Sequence, residues 1–382
     1  MNSRMCAALA ATLILVACAS GRNPKEPPTP LEDFSPQARV KELWRVDTGT
    51  GPKKDYVRLN AFIEDQAIYA ADAYGRVGAW KLADGRRLWK TDVEMQITAA
   101  VGGGEGLVIV GTKKGKVIAL RAEDGKPVWK ADVTSEILAP AAVGSGMVVV
   151  QSIDGHVSGL TARDGRRVWT FDQMTEPALS LRGTSAPVIY RDVVLTGFAN
   201  GKLAALTLKE GKSLWELTVS LPRGRNEIER LVDVDSSPLL INGILFAVNY
   251  QGKLVAVDAQ KGQTLWSRDV SSYTGLDADQ ANIYVTDEHS SVMAFDQRSG
   301  ASVWKQEKLR GRSVNAPTYL NGYLVVGDFE GYLHWLGHED GRFVARYRVG
   351  GSAIRSKTAR NGDTLYVTNQ DGTLAAIQLS KL

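Results

Sequence analysis

A short motif, a glycine followed four residues later by a tryptophan, recurs along the chain and constrains the fold more than any other feature. In a seventh copy, Gly341 is followed at the same offset by Ala345. Steps between successive copies are 40, 40, 46, 51, 38 and 41 residues. A period near forty residues, built from strand-like segments, is typical of propellers and other stacked arrays. Chance similarity between hairpins is the alternative, and the fixed offset disfavours it. The tryptophans stand at positions 89, 129, 169, 215, 266 and 304.

Each copy of the motif is the second half of a predicted four-stranded unit. In "QGKLVAVDAQKGQTLWS" (251–267), two strand-like runs flank a turn that ends in glycine. Upstream, Asn242-Gly243 separates two further apolar runs, and Asn-Gly recurs at 321–322 and 361–362. Asn-Gly in this setting is the strongest short-range hairpin signal. The sequence therefore predicts an all-β fold of four-stranded antiparallel blades, with a tryptophan filling the space between neighbouring blades.

The two ends of the chain supply complementary parts of one blade. The last unit, "DGTLAAIQLS" (371–380), stops before its tryptophan strand, whereas "ELWRVDTG" (42–49) supplies an unassigned strand that contains Trp44. Joining them adds one shared unit to seven internal units. We therefore expect residues 38–382 to form an eight-bladed β-propeller. It would be closed by pairing an N-terminal strand with the C-terminal strands, which removes open sheet edges.

The N-terminus indicates export and anchoring. Residues 5–16 are apolar except for Thr12, a run too short to span a bilayer but typical of a signal-peptide core. The following "LVAC" resembles the bacterial lipobox, which predicts a signal peptide over 1–17 and lipidation of Cys18. An ordinary secretory signal with an incidental cysteine is the alternative. Residues 18–37 then form the lipid anchor and a proline-rich, flexible tether. Because Cys6 leaves with the signal, no disulfide is expected in the mature fold.

Charge and motif content exclude several classes of function. The formal net charge is +4, and removing residues 1–17, with one arginine and no acidic residue, leaves +3. This near balance argues against nucleic-acid binding. The four histidines fall in different units or on one hairpin, and no HExxH, P-loop or nucleophile elbow is present. We expect no enzyme activity, cofactor or metal. The recurrent aspartates beside turns are expected to cap those turns: Asp124, Asp164, Asp258 and Asp340.

Two neighbouring connections between units are enlarged. From each tryptophan to the proline that opens the next unit, the distance is 11 residues after Trp129 and 13 after Trp304. It is 18 residues after Trp169 and 23 after Trp215. Equivalent connections of a propeller emerge on one face, so these two loops should be neighbours there. Loops lengthened on a rigid scaffold commonly carry function, although tolerated drift is the alternative.

The chain resembles two families. Its repeat resembles that of the pyrroloquinoline quinone dehydrogenases, but those enzymes are longer and carry a vicinal cysteine pair and a calcium site. The segments "PALSLRG" (177–183), "RLVDVDSSP" (230–238) and "VVGDFEGYLHW" (325–335) resemble the BamB family of lipoproteins. These proteins belong to the β-barrel assembly machinery of the Gram-negative outer membrane. The resemblance extends from the signal to the C-terminus, and the first two segments, which lie outside the repeat, carry most of its specificity.

The BamB resemblance implies a non-enzymatic scaffold, anchored at the periplasmic face of the outer membrane. It implies binding to POTRA domains of BamA, the barrel-inserting component, and leaves open whether unfolded outer-membrane clients touch the propeller. Asp233 and Asp235 would either orient Arg182 or meet a basic group on the partner. A quinone enzyme and a propeller that binds cell-wall polysaccharide stay as alternatives. The residues that match the family's partner-binding positions are Leu179, Leu181, Arg182, Asp233 and Asp235.

Overall fold

The computed structural model describes residues 27–51, 57–173, 180–181, 185–222, 225–226 and 228–381. Within these ranges all the regular structure is β-strand. No helix in the described part of the chain is long and apolar enough to cross a membrane. The 32 strands of the described ranges form four-stranded units, which we number one to eight in chain order; unit eight takes its outer strand from the N-terminus.

The strand bounds are as follows. The N-terminal strand is β1 (Ala38–Asp47), and units one to four contain β2 (Phe62–Glu64), β3 (Ala67–Ala71), β4 (Arg76–Lys81), β5 (Arg87–Asp92), β6 (Gly102–Gly104), β7 (Leu107–Gly111), β8 (Lys116–Arg121), β9 (Pro127–Asp132), β10 (Ala142–Gly144), β11 (Met147–Gln151), β12 (His156–Thr161), β13 (Arg167–Asp172), β14 (Val188–Tyr190), β15 (Val193–Gly197), β16 (Lys202–Thr207) and β17 (Ser213–Thr218). Units five to eight contain β18 (Leu239–Ile241), β19 (Ile244–Val248), β20 (Lys253–Asp258), β21 (Gln263–Asp269), β22 (Leu276–Ala278), β23 (Asn282–Thr286), β24 (Val292–Asp296), β25 (Ser302–Gln306), β26 (Thr318–Leu320), β27 (Tyr323–Gly327), β28 (Tyr332–Gly337), β29 (Phe343–Arg348), β30 (Ala359–Asn361), β31 (Thr364–Thr368) and β32 (Thr373–Lys381).

Within each unit the four strands pair antiparallel, in chain order for units one to seven. The predicted all-β fold of four-stranded antiparallel sheets is therefore confirmed. A single parallel pairing, Ala142 with Gly103, joins units two and three into one eight-stranded sheet. In unit eight the order is β1-β32-β31-β30, and β1 pairs with β32 from Ala38↔Lys381 to Asp47↔Thr373. The first and last strands of the chain thus lie side by side in one sheet.

The core lies between neighbouring sheets. The second and third strands of a unit are buried on both faces, as in β8, where Val117 to Leu120 are fully buried. This burial explains why these strands are nearly continuous apolar runs instead of alternating ones. The outer strands alternate, and in β9 Trp129 is buried between exposed neighbours. The hydrophobic clusters accordingly combine residues of adjacent units.

The glycine and the tryptophan of the repeat meet across the boundary between units. The indole of Trp89, in unit one, donates to the carbonyl of Ala122 in unit two (2.8 Å). The same ring lies against Gly125, where an added Cβ would come within 2.4 Å of it. Gly125 also has a φ of +71°, which favours glycine. Each glycine of the motif therefore receives the tryptophan of the preceding unit, and six further boundaries repeat the contact: Trp44–Gly85, Trp129–Gly165, Trp169–Gly211, Trp215–Gly262, Trp266–Gly300 and Trp304–Gly341.

The boundary between units seven and eight is the exception, and the chain ends explain it. Unit eight has no turn between its third and fourth strands, because these are the last and first strands of the chain. The turn glycine that would receive a tryptophan is therefore missing, and unit seven has Ala345 at the tryptophan position. In its place, Ala345 packs in one buried cluster with Ala38. The lost tryptophan thus coincides with the lost turn.

Candidate partner-binding site

Two enlarged connections identify one face of the molecule as a candidate binding surface. Because strands alternate in direction within a unit, the connections between units lie on the same face as the turns between second and third strands. We call this the connection face, and the opposite one the turn face. Between β13 and β14 the connection spans residues 173–187, and between β17 and β18 it spans 219–238, whereas 133–141 is typical of the shorter ones. We call the two long connections the loop pair.

The structure brings Leu181 and Asp233 of the loop pair together. The backbone N–H of Leu181 donates to Oδ2 of Asp233 over 2.6 Å. Asp233 has no exposed surface, whereas Leu181 is 38% exposed. Asp233 thus holds the backbone of one loop while the leucine side chain faces solvent. Leu179 and Arg182, the other two predicted residues of the first loop, lie outside the described residues.

Asp233 and Asp235 form an internal pair of carboxyls. Burial raises the pKa of Asp233, against the opposing effect of the Leu181 N–H. Burial, and then the charge of Asp233, raise the pKa of Asp235, while the charge of Arg58 acts to lower it. Oδ1 of each aspartate is shielded from solvent and has no hydrogen-bond partner among the described residues. The pair therefore favours a protonated state more than exposed aspartates do.

Arg58 is a member of this region that the sequence did not reveal. It lies in the connection 48–61, which the distances from tryptophan to proline did not cover. Its Nη1 donates to the carbonyl of Tyr273 over 3.0 Å, and its guanidinium lies 5.8 Å from the Tyr273 ring centroid. The Tyr273 ring meets Tyr250 edge-on at 6.1 Å, and the N–H of Tyr250 donates to the carbonyl of Asp233. The length of the connection 48–61 was the only feature of the sequence that could have pointed to Arg58.

The second loop also exposes apolar side chains from a braced backbone. Leu221 is 66% exposed and Ile228 is 65% exposed. Asn226 and Glu229 brace the segment, since the Asn226 side chain donates to Glu229 Oε1 (2.9 Å) and accepts from the Glu229 N–H (2.9 Å). Beside it lies an open groove of about 690 Å³, whose lining includes Leu221 and Lys253. The loop pair therefore exposes apolar side chains among polar ones, on a backbone that polar groups hold in place.

The other candidate groups have structural partners. As predicted, the turn aspartates accept backbone N–H groups; Asp258, for example, accepts from Gln260 (3.0 Å) and Lys261 (2.9 Å). His334 is buried against Asp328 (3.1 Å), whereas His338 contacts Asp279 (2.9 Å), so the two histidines do not converge. Among the described residues, no group of three His, Cys, Asp or Glu side chains is arranged to hold a metal ion.

Two kinds of solved structure share this fold. A quinohemoprotein alcohol dehydrogenase from Comamonas testosteroni matches with a TM-score of 0.70 and 12% identity. The match covers 89% of this chain and 76% of that one, and at this identity it shows the fold alone. The crystal structure of BamB from Moraxella catarrhalis matches with a TM-score of 0.82 and 27% identity, covering 89% of this chain and 100% of that one.

Sequence comparisons agree with the second structure. The family model for the outer membrane protein assembly factor BamB matches residues 73–306 and 290–381. The outer membrane protein assembly factor BamB of Alkalilimnicola ehrlichii is 48% identical over 378 residues, which cover 99% of this chain and 97% of that protein. The chain therefore belongs to the BamB family of outer membrane protein assembly factors.

Proposed function

We propose that the protein is a non-enzymatic scaffold that supports the folding and insertion of β-barrel proteins into the outer membrane. It binds POTRA domains of BamA through the loop pair. Family membership supports the assembly role, and one observation carries the site: the exposed Leu181 has its backbone held by the buried Asp233. An exposed apolar side chain on a preorganised loop is a suitable interface anchor, because little entropy is lost when it binds.

The buried position of Asp233 argues against one of the two roles that the sequence left open, a direct contact with a basic group on the partner. Since Asp233 has no exposed surface, it acts from within the propeller and positions the first loop. Leu179, Leu181 and Arg182 then supply the surface that meets BamA. Asp235 lies beside Asp233, whose charge raises its pKa, and contributes no direct contact to the partner in this arrangement.

We also propose that the units close into an eight-bladed ring. The innermost strands of consecutive units contact one another, β2 with β6, β10 with β14 and β22 with β26. The contact between β2 and β30 links unit one to unit eight. Together with the β1–β32 pairing, these contacts support a closed propeller over residues 38–382 with no open edge between its ends.

Lipidation of Cys18 after removal of residues 1–17 would anchor the scaffold at the periplasmic face of the outer membrane. Two or more acyl chains give firm anchoring, at about 0.8 kcal/mol per buried CH₂. The family's assembly role supports this location. The quinone-enzyme alternative predicts a bound chromophore in the purified protein, and the polysaccharide alternative predicts retention on peptidoglycan without BamA.

A binding titration against the periplasmic region of BamA tests the proposed site. We expect Leu181→Ala, Leu179→Ala and Arg182→Glu each to weaken binding by about thirtyfold, the equivalent of roughly 2 kcal/mol. Leu265→Ala is the matched control, because Leu265 is 53% exposed on the outer strand of unit five, away from the loop pair.

The melting temperatures of these variants should match that of the natural chain. Full affinity in all three loop variants would place the interface elsewhere. A collapse in melting temperature would instead make these residues structural.

A further inference from the structure

Residues 29–37, which the sequence assigns to a flexible tether, lie along the outer edge of unit seven. The N–H of Thr29 donates to the carbonyl of Arg310 (2.9 Å), in the connection between units six and seven. At the other end, the N–H of Gln37 donates to the carbonyl of Val344 in β29 (2.8 Å). Between them, Leu31 packs against the hydrophobic cluster that units six and seven share. We call residues 29–37 the strap.

Two arginines bind the main chain of the strap: Arg312, in the connection that leads into unit seven, and Arg346, in β29. Arg312, only 3% exposed, donates through Nη1 to the carbonyl of Thr29 (3.1 Å). Arg346 donates through Nη1 to the carbonyl of Glu32 (3.0 Å). The Phe34 ring stacks on Phe343, with centroids 5.5 Å apart, and the guanidinium of Arg346 lies 5.0 Å from the Phe34 centroid. Main-chain carbonyls, an aromatic ring and a leucine are thus recognised together.

Buried partners hold both arginines in place. Asp328 has no exposed surface and accepts from Arg312 Nε (2.8 Å) and from His334 (3.1 Å). Glu330 also pairs with Arg312. The Nε of Arg346 donates to Nδ1 of His334 (3.2 Å), so the two arginines are linked through the histidine and the aspartate. The binding surface for the strap is therefore preorganised by the propeller itself.

We propose that the strap sets where the membrane anchor leaves the propeller and how far it reaches. Without docking, the tether would start at Ala38, which pairs with Lys381 on the turn face, 20 positions after Cys18. With docking, it starts at Thr29 on the connection face, 11 positions after Cys18. At about 3.3 Å per residue, the maximum span falls from roughly 66 Å to roughly 36 Å.

The strap therefore brings the anchor to the face that carries the loop pair. The surface that the anchored protein meets is the lipid bilayer. The connection face near units six to eight lies closer to the bilayer than the turn face does. This inference rests on the proposed lipidation of Cys18. The docking of the strap does not, so the two can be tested separately.

Hydrogen exchange on the lipidated protein tests docking. We expect the amides of Thr29 and Gln37 to be protected in the natural chain, because both of these N–H groups are hydrogen-bonded to the propeller. Phe34→Ala should speed their exchange at least tenfold and leave the propeller strands unchanged. Ser35→Ala is the matched control, since Ser35 is exposed. Exchange in the natural strap at the rate of an unstructured peptide would overturn the proposal.

Fluorescence quenching on vesicles tests the placement of the anchor. Cys6 and Cys18 are the only cysteines, so the mature lipidated chain has no free thiol and a single introduced cysteine can be labelled. Gly351→Cys places a dye on the connection face, in open space, and Glu339→Cys places one on the turn face of the same unit.

With a quencher in the bilayer of phosphatidylethanolamine and phosphatidylglycerol vesicles, quenching should be at least twofold stronger at position 351 than at 339. Phe34→Ala should remove the difference. Equal quenching at both positions in the natural chain would overturn the proposed placement. The mass of the N-terminal peptide is measured first, so that a failure of lipidation is recognised separately.

Discussion

Asp328 in unit seven and Asp235 in the loop pair are both shielded carboxyls near the connection face, but their surroundings differ. Burial acts to raise the pKa of Asp328, yet hydrogen bonding to His334 and the charge of Arg312 outweigh it, so its pKa is lowered. Burial and the charge of Asp233 raise the pKa of Asp235, and Arg58 only partly offsets them. A buried carboxylate that is fully paired with cationic groups holds its surroundings in one arrangement. One whose counter-charges are too weak destabilises the fold when it ionises.

The comparison separates two ways of holding a loop. The strap is held by a network of charged groups that are paired with one another. Such a network stabilises a contact that stays formed. The first loop is held by Asp233, and among the described residues Oδ1 of Asp233 and of Asp235 has no hydrogen-bond partner. Such sites commonly coincide with function, because the stability lost there is compensated by the rest of the fold. Three substitutions test the contrast, in order of decreasing effect.

Removing the counter-charge at unit seven should have the largest effect. Arg312→Met leaves Asp328 buried without its main cation, and breaking a buried pair in this way costs about 3–5 kcal/mol. The midpoint of denaturant unfolding should fall accordingly. In the double variant Arg312→Met/Asp328→Asn, the uncompensated charge is gone, so part of the loss should be recovered. Simple additivity of the two single changes would contradict the paired network.

Neutralising Asp235 should raise the stability of the fold, whereas Arg312→Met lowers it. Burial and Asp233 raise its folded-state pKa to about 8, above the ordinary value near 4. Between these values the folded state keeps a proton that the unfolded chain releases, so stability should fall as pH rises through this window. Asp235→Asn removes this titration.

We therefore expect Asp235→Asn to stabilise the protein at pH 8.5, on the order of 1–3 kcal/mol, and to have little effect near pH 5. Denaturant melts at both pH values measure this, with the turn aspartate change Asp124→Asn as control. Equal effects of Asp235→Asn at the two pH values would show that Asp235 does not titrate in this range.

The smallest effect should come from an exposed contact of the strap. Lys308 donates to Glu32 over 2.6 Å, but both side chains are more than half exposed. Exposed pairs typically contribute between about 0 and 1 kcal/mol and are screened by salt. Lys308→Ala should therefore leave the unfolding midpoint and the exchange of the strap nearly unchanged. A loss comparable with that of Arg312→Met would mean that the exposed contact, not the buried network, holds the strap.

The candidate site was predictable only in part. Loop length and the BamB resemblance pointed to Leu181, Asp233 and Asp235, because insertions and motif segments are visible in the linear chain. The internal position of Asp233 was not predictable, since an i, i+2 pair of aspartates fits an exposed loop equally well. Arg58 was missed because it approaches Asp235 from a connection far away in sequence.

The sequence by itself determined the β-class, the strand order within a unit and the pairing of glycine turns with tryptophan strands. These follow from local signals, since turn residues and apolar runs act over a few neighbours along the chain. Only the tertiary structure decided that each glycine receives the tryptophan of the preceding unit, and that a proline-rich segment is held by Arg312 and Arg346. Those contacts join residues tens to hundreds of positions apart, and proline content records backbone stiffness without recording which distant surface the segment meets.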